Sequence, residues 1–466
     1  MTEQFDVVII GSGPGGYVAA IRAGQNGLKT AIVERAPKLG GTCLHWGCIP
    51  TKSMLHSADL LDELKHSGEF GVHASGISLD MPGVIKRKDK VVDKNARGVE
   101  FLMKKNKVQV FWGHGSMAGK GKVSVKSKDG KETMLSTRHV VLATGSVCRD
   151  FPAFPVDHKT ILNSDDMFSM TSVPGSMVVL GAGAVGTEFA SMFARFGSKV
   201  TLIELMPHVL PIEDHDISIE LAKALRKQGI DILTETKVES VSKEGIGVKV
   251  QARTAKGELK VIEAEKLLVA IGRAPVTSGI GLEGTAVKLD RGFISVDGFM
   301  RTAEPHVYAI GDIVPTPQLA HVGSMEGILA VDHIAGKPVQ AINYDHVPNC
   351  TYCAPEVASV GLTERKARER GYDVKVGTFP FPVNSKAAIL GEQFGLVKVV
   401  AEKKYNEVLG VHMVGPQVTN MIAEAGVALA HEATVESFAA VMHPHPTLSE
   451  AVVEAVHAAL GHALHI

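Results

Sequence analysis

Two distant stretches of this 466-residue chain are built to one plan. Phe5-Asp6-Val7-Val8-Ile9-Ile10 reads as a buried strand that runs into Gly11-Ser12-Gly13-Pro14-Gly15-Gly16 and then a helical pattern from Tyr17 to Gly27. A second apolar strand, Thr30-Ala31-Ile32-Val33, ends in Glu34. Much later, Ser176-Met177-Val178-Val179-Leu180 leads into Gly181-Ala182-Gly183-Ala184-Val185-Gly186, a helix from Thr187 to Phe196 stopped at Gly197, and a strand from Lys199 to Ile203 ending in Glu204. Gly11, Gly13, Gly16, Gly27 and Glu34 map onto Gly181, Gly183, Gly186, Gly197 and Glu204 without a gap. One G-x-G-x-x-G is weak evidence, because glycine-rich turns are common; two copies matched through the helix stop and the terminal acid are strong. In each copy the glycines let the backbone approach a pyrophosphate. The helix N-terminus supplies free N–H groups and a favourable dipole, and the acid is placed to accept hydrogen bonds from a ribose. The expected fold is therefore α/β, with two Rossmann-like dinucleotide-binding domains.

Between and after the copies come three apolar strands that close on small turns. Val140-Val141-Leu142 runs into Ala143-Thr144-Gly145, Leu267 to Ile271 runs into Gly272-Arg273-Ala274-Pro275, and Val307 to Ile310 runs into Gly311-Asp312. The Asp312 carboxylate suits a polyol chain; it equally suits the N-cap of the helical segment Ala320 to Gly336. Boundaries are expected near Arg149 to Asp157, Arg273 to Gly281 and Asn343 to Val347. The last stretch changes character: Gly377 to Val383, Gly395 to Ala401 and Val408 to Val414 read as an antiparallel sheet, followed by helices Met421 to Glu432 and Leu448 to Leu460. It carries no nucleotide signal, so partner contact or completion of a site is its expected role.

Charge excludes some functions. With 49 Lys and Arg against 50 Asp and Glu, no overall basic field argues for nucleic acid or an anionic membrane. The run Lys86-Arg87-Lys88 reads as a solvated helix face. No apolar segment approaches the roughly 20 residues that span a bilayer, and the N-terminus enters a strand pattern too early for a cleaved signal. Five cysteines, an odd number, point to a reducing compartment.

Two of those cysteines share one motif, Gly40-Gly41-Thr42-Cys43-Leu44-His45-Trp46-Gly47-Cys48-Ile49-Pro50-Thr51-Lys52. Positions five apart are not neighbours on a regular helix, so bringing Cys43 to Cys48 requires a distorted first turn, and a strained bridge is a reducible one. The helical pattern from Thr51 to Leu64 puts Cys48 near a positive helix end. A pair of inert buried thiols or of metal ligands fits the same spacing. Near the C-terminus, His443-Pro444-His445-Pro446-Thr447-Leu448-Ser449-Glu450 holds His445 out of helix, while Glu450 can reach back to orient it as a general base. The same residues fit a capping box from Thr447 to Glu450 with an incidental histidine. Cys350-Thr351-Tyr352-Cys353 lacks a second ligand pair at zinc spacing and reads as a strand start, and no metal is expected.

Taken in order, these motifs resemble the dihydrolipoamide dehydrogenases, the flavin-dependent E3 components of 2-oxo acid dehydrogenase complexes and of the glycine cleavage system. The resemblance spans nearly the whole chain: the first glycine unit, Gly-Gly-Thr-Cys-Leu-x-x-Gly-Cys-Ile-Pro-x-Lys, Ala-Thr-Gly, the second glycine unit, Gly-Asp and His-Pro-Thr-Leu-Ser-Glu. It implies FAD on Gly11, Gly13, Gly16, Glu34, Lys52, Ala143, Thr144, Gly145, Gly311 and Asp312. NAD is implied on Gly181, Gly183, Gly186, Glu188, Glu204 and Gly272, with Glu188 serving Lys52 or the nicotinamide carboxamide. Residues 1–150 are then an FAD-binding domain, 151–275 an NAD-binding domain, 276–345 a central domain completing the FAD site, and 346–466 a dimerisation domain. The implied chemistry uses Cys43 and Cys48 as a redox disulfide, His445 with Glu450 as the base acting on the other protomer's pair, and Lys52 as a positive charge near the flavin. The implied partners are a second copy and a lipoyl-bearing E2 subunit or glycine cleavage H protein, in a bacterial cytoplasm, with a mitochondrial matrix left open. Departures fall at His45-Trp46, where Asn-Val is commoner, and at Ala274-Pro275-Val276, where asparagine often follows the proline.

The nearest rival is an NADPH-dependent disulfide or mercuric reductase of the same superfamily. Glu204 repels a 2′-phosphate and Leu205 to Leu210 supplies no arginine to hold one, while the ending Gly461-His462-Ala463-Leu464-His465-Ile466 lacks the cysteine pair of a mercuric reductase. A non-catalytic flavoprotein redox sensor is the alternative of a different class, and the joint presence of Cys43, Cys48, His445 and Glu450 argues against it.

Overall fold

The unbroken apolar run Val7-Val8-Ile9-Ile10 has no polar face, so its strand has to lie inside a sheet covered on both sides. In the computed structural model, which describes residues 4–466, it does. Strand Gln4–Ile10 pairs in parallel with Thr30–Glu34 on one side, Val7 opposite Thr30, and with Glu132–Leu142 on the other, Val8 opposite Val140. Val7 and Ile9 enter one core with Ala19, Ala20 and Ala23, while Val8 and Ile10 enter another with Val123, Val125 and Leu135. That is the period-two alternation of a central strand.

The chain divides into two compact units. The first comprises Met1–Ser53, Ile85–Arg149 and Gly272–Tyr344. Its seven-stranded sheet takes Gln109–Trp112 beside Thr30–Glu34, and the late strand Val307–Ala309 in parallel beside Glu132–Leu142. An antiparallel flap of Lys122–Lys126 and His114–Met117 completes it. The carboxyl ends of three parallel strands, at Ile10, Leu142 and Ala309, thereby meet at one edge, the crevice where open α/β sheets bind ligands. Helix Pro14–Gln25 lies against helix Ala320–Ile334 closely enough that a Cβ on Gly327 would stand 2.6 Å from the Gly15 carbonyl oxygen. Arg22 clamps the pair with a fork onto Asp332 at 2.8 and 2.6 Å, and this pairing holds that carboxyl below its usual range.

The second unit comprises Met54–Val84, Asp150–Ile271 and Asp345–Ile466. It contains a parallel five-stranded sheet in the order Asp231–Leu233, Lys199–Ile203, Ser176–Leu180, Lys266–Val269, Ile161–Leu162. A three-stranded antiparallel sheet, Thr236–Glu244 to Leu259–Ala264, accompanies it. The C-terminal region forms the expected antiparallel sheet, in the order Asn349–Thr351, Glu356–Gly361, Val408–Gly415, Leu396–Glu402, Val374–Pro380. Helices Val418–Ala430 and Glu450–Ala459 cover one face. The second of these presses so close that a Cβ on Gly377 would lie 2.1 Å from the Ala455 carbonyl oxygen, which fixes the helix that begins at Glu450.

One polar reading is corrected. Lys88 is not on a solvated face: it is buried in helix Met81–Lys105, and its ammonium pairs with Asp89. Among the described residues no helix is long and apolar enough to cross a membrane.

Candidate active site

The two glycine units repeat at the level of single atoms. Gly11 N–H donates to Val33 O and Gly181 N–H to Ile203 O, both at 2.8 Å, while Ala143 and Ala270 close the turns onto Ile10 O and Leu180 O, again at 2.8 Å. Both terminal acids are buried and serve the same purpose. Glu34 accepts from the N–H groups of Ser12 (2.9 Å) and Ala36 (2.7 Å), and Glu204 from those of Ala182 (2.6 Å) and Met206 (2.8 Å). A carboxylate fixed by two amides keeps lone pairs for a diol at a defined place.

The glycines of each turn divide into two kinds. A Cβ on Gly16 would stand 2.0 Å from Gly11 O and one on Gly186 1.8 Å from Gly181 O, so the third glycine is needed for helix-on-strand packing. A Cβ on Gly13 or Gly183 would meet nothing within 4 Å, and no side chain caps either helix there. Each turn thus leaves room for a group beside uncapped helix amides, and that room fits a dinucleotide pyrophosphate. Gly186→Ala is therefore expected to cost about 1–3 kcal/mol or more of stability. Gly183→Ala should leave the melting temperature within a degree or two, of order 0.5 kcal/mol, but weaken nucleotide binding. Calorimetric melting and nucleotide titration of both variants separate the roles, and equal behaviour would refute the division.

The cysteine motif is docked onto the first turn. Gly40 N–H donates to Ser12 O at 3.1 Å, and a Cβ on Gly41, which has φ +60°, would come within 2.5 Å of Gly13 Cα. Instead of one helix with a distorted first turn there are two, Gly41–Trp46 and Cys48–His66, separated at Gly47. A Cβ there would crowd Thr42 O (3.1 Å) and Cys43 Cα (3.3 Å), and the Gly47 carbonyl accepts both the N–H (3.1 Å) and the hydroxyl (2.6 Å) of Thr51. This break brings Cys43 and Cys48 together. They stand as thiols, and the Cys43 thiol is pushed far up, first by its hydrogen bond with Cys48 and then by burial, with the Lys52 charge opposing. Lys52 lies one turn beyond Cys48 on the same helix. Burial, and then the two sulfurs, also raise the phenol of Tyr17.

Asp312 does not cap the following helix, whose N-cap is Leu319 without a side-chain bond. Its carboxylate instead takes the Ser146 hydroxyl, which is also held by Arg273 Nε at 2.7 Å; Arg273 Nη2 grips the Ser146 carbonyl at 2.7 Å. Thr144 donates to Val276 O at 2.6 Å, and Gly145 O accepts the Val276 N–H at 2.9 Å. Beneath Gly311 lies a buried acid that the sequence reading missed. Glu326 accepts the Gly311 N–H (2.6 Å), the Thr316 hydroxyl (2.7 Å) and the Tyr344 hydroxyl (2.8 Å), and burial raises its pKa against all three.

His445, joined to Pro446 by a cis peptide, lies outside helix Glu450–Ala459 with its side chain 70% exposed. Its Nδ1 meets Glu450 Oε1 at 2.8 Å, and Glu450 Oε2 accepts the Thr447 N–H at 2.7 Å. Only half of the expected capping box forms, because the Thr447 hydroxyl donates to Pro444 O. Burial would raise the Glu450 pKa, but the Thr447 amide and the imidazole outweigh it and hold the carboxyl below its usual range.

Of the remaining residues, Glu188 is buried on helix Ala184–Phe196 and accepts the Tyr352 N–H at 2.9 Å, and the Gly272 carbonyl takes the Arg149 N–H at 3.1 Å. Cys350 lies in strand Asn349–Thr351, one residue after its start, and burial raises the thiol of Cys353, which donates to Pro355 O.

Two glycine turns of dinucleotide type, one of them joined to a pair of thiols, fit a nucleotide-dependent dithiol–disulfide oxidoreductase. The family model described as pyridine nucleotide-disulphide oxidoreductase matches residues 5–327, and the one for that family's dimerisation domain matches residues 347–456. The chain belongs to the pyridine nucleotide-disulphide oxidoreductase family. FAD and NAD are the cofactors of this type, as the sequence implied, and the C-terminal domain supports a homodimer. Over its full length the chain is 47% identical to a dihydrolipoyl dehydrogenase of Bacillus subtilis and 43% identical to one of Zymomonas mobilis, each covered completely. The crystal structure of LpdA from Mycobacterium tuberculosis superposes with a TM-score of 0.90 at 27% identity, over 97% of this chain and 99% of that one.

Proposed function

We propose that this protein oxidises dihydrolipoyl groups carried on a partner protein, an E2 subunit of a 2-oxo acid dehydrogenase complex or a glycine cleavage H protein, and passes the electron pair to NAD+. The observation that carries the reading is the Cys43–Cys48 pair, held by the Gly47 break against the first nucleotide turn. The exposed His445, oriented by Glu450, takes the proton of one dihydrolipoyl thiol. The resulting thiolate attacks Cys43 of the other protomer's disulfide, and Cys48 leaves as a thiolate at the positive end of helix Cys48–His66. The second dihydrolipoyl thiol then displaces Cys43, which closes the lipoyl disulfide and leaves two reduced cysteines. When bound, the flavin supplies a two-electron relay from the Cys48 side to the nicotinamide. Lys52 keeps positive charge near the thiols.

We assign residues 1–150 and 276–345 to holding FAD, through Gly11, Gly13, Gly16, Glu34, Ala143 to Gly145, Gly311 and Asp312. Residues 151–275 are assigned to NAD, through Gly181, Gly183, Gly186, Glu188 and Glu204 with Gly272 beyond, and 346–466 to the dimer interface. The low cysteine count and the dithiol chemistry support a cytoplasmic setting.

One assay pair tests the reading: dihydrolipoamide-driven NADH formation, and NADPH-driven reduction of glutathione disulfide. The first should proceed and the second should not. The buried Glu204 carboxylate predicts that kcat/KM for NAD+ exceeds that for NADP+ by about 100-fold or more, equivalent to about 2.7 kcal/mol. Comparable efficiencies would remove Glu204 from cofactor selection.

A further inference from the structure

After Glu204 the chain runs through Leu205-Met206-Pro207-His208-Val209-Leu210 to Asp214, the N-cap of helix His215–Lys227. This loop is pinned on both sides. Met206 N–H donates to Glu204 at 2.8 Å, Met206 O accepts the Glu235 N–H at 3.0 Å, and Leu210 N–H reaches Ala182 O in the second glycine turn at 2.8 Å. At its far end the Asp214 carboxylate is buried against Lys398.

Two imidazoles from these fixed segments face one another: His208 Nε2 stands 3.1 Å from His215 Nδ1, with ring centroids 4.5 Å apart at 73°. Two nitrogens each about 2.0–2.1 Å from one metal ion, at coordination angles between about 90° and 109°, are separated by about 2.9–3.4 Å, and their ring centres by about 4.5–5 Å. Both observed separations fit. Without a metal, one ring donates to the other. The Glu235 carboxylate is within electrostatic reach of His208 and adds negative potential. Among the described residues no group of three or more His, Cys, Asp or Glu gathers at metal distance, so the remaining coordination positions belong to water.

We propose that His208 and His215 form a bidentate, solvent-open site for an imidazole-preferring divalent cation of the Zn2+, Ni2+ and Cu2+ class, separate from the redox thiols. Its test uses Ni2+ with the oxidised FAD holoenzyme, in which the closed Cys43–Cys48 pair offers no thiolate. Isothermal titration should find a site whose affinity falls at least tenfold in His208→Ala and, separately, in His215→Ala, with no further fall in the double variant. With Cu2+, electron paramagnetic resonance should show two equivalent nitrogen couplings in the wild type and one in each single variant. Other histidines, such as His457, His462 and His465, remain in every variant and report any background binding. Unchanged Ni2+ affinity in either single variant, or a two-nitrogen Cu2+ signal that survives one of them, would overturn the site. Neither readout depends on turnover, so failure here leaves the dehydrogenase reading untouched.

Discussion

Replacing either Cys43 or Cys48 by serine is expected to lower dihydrolipoamide-driven NADH formation by about a thousandfold or more, because serine cannot complete a disulfide exchange. The two sulfurs act as a unit, so the double variant should be no worse than either single one. The other three cysteines are held elsewhere: Cys148 ends strand Ser146–Cys148 with Arg273 Nη1 at 3.9 Å, Cys350 lies in strand Asn349–Thr351 of the C-terminal sheet, and Cys353 is buried with its thiol bonded to Pro355 O. Transfer of electrons from NADH to an artificial acceptor should persist in both variants, since that path bypasses the cysteines. Measured side by side, the two activities distinguish a lost redox pair from a lost fold. Appreciable lipoamide turnover in either variant would exclude the pair as the exchange site.

What the sequence made legible was whatever is written as periodicity. The repeat predicted two glycine turns, and the structure adds matching hydrogen bonds within them, because a turn this tight has one way to satisfy its amides once the glycines and the terminal acid are placed. Three strands of the C-terminal sheet were legible as apolar runs in one stretch of the chain. Most of the misses share a different cause, a contact between residues distant in sequence or a local chain reversal. Gly47 looks like one more glycine until its missing Cβ is set against Thr42 O and Cys43 Cα. Asp312 could as well have capped a helix, and only the folded Ser146–Arg273 grip shows its true company. Glu326 offered one signal, an acid among the apolar residues of helix Ala320–Ile334, and Lys88 a similar one. Both are charges whose burial is compensated by neighbours that no periodicity names.

The second large effect belongs to His445. His445→Gln should reduce dihydrolipoamide turnover by about two to four orders of magnitude, the usual contribution of a positioned general base, while bound flavin stays at the wild-type level. The reasoning rests on what Glu450 is doing. Its carboxylate, fixed by the Thr447 amide at 2.7 Å at the start of a helix seated on the sheet at Gly377, holds the imidazole Nδ1 at 2.8 Å and so aims Nε2 outward to accept a proton. Because the ring is exposed on its own chain, little of the fold depends on it, and a loss of activity cannot be charged to unfolding. Glu450→Gln keeps the shape of that support but removes its charge, so it should cost less than the His445 change and should fall mainly on kcat. Near-normal turnover in His445→Gln would show that the substrate thiol loses its proton elsewhere; a Glu450→Gln enzyme as poor as His445→Gln would show that the carboxylate does more than orient the ring.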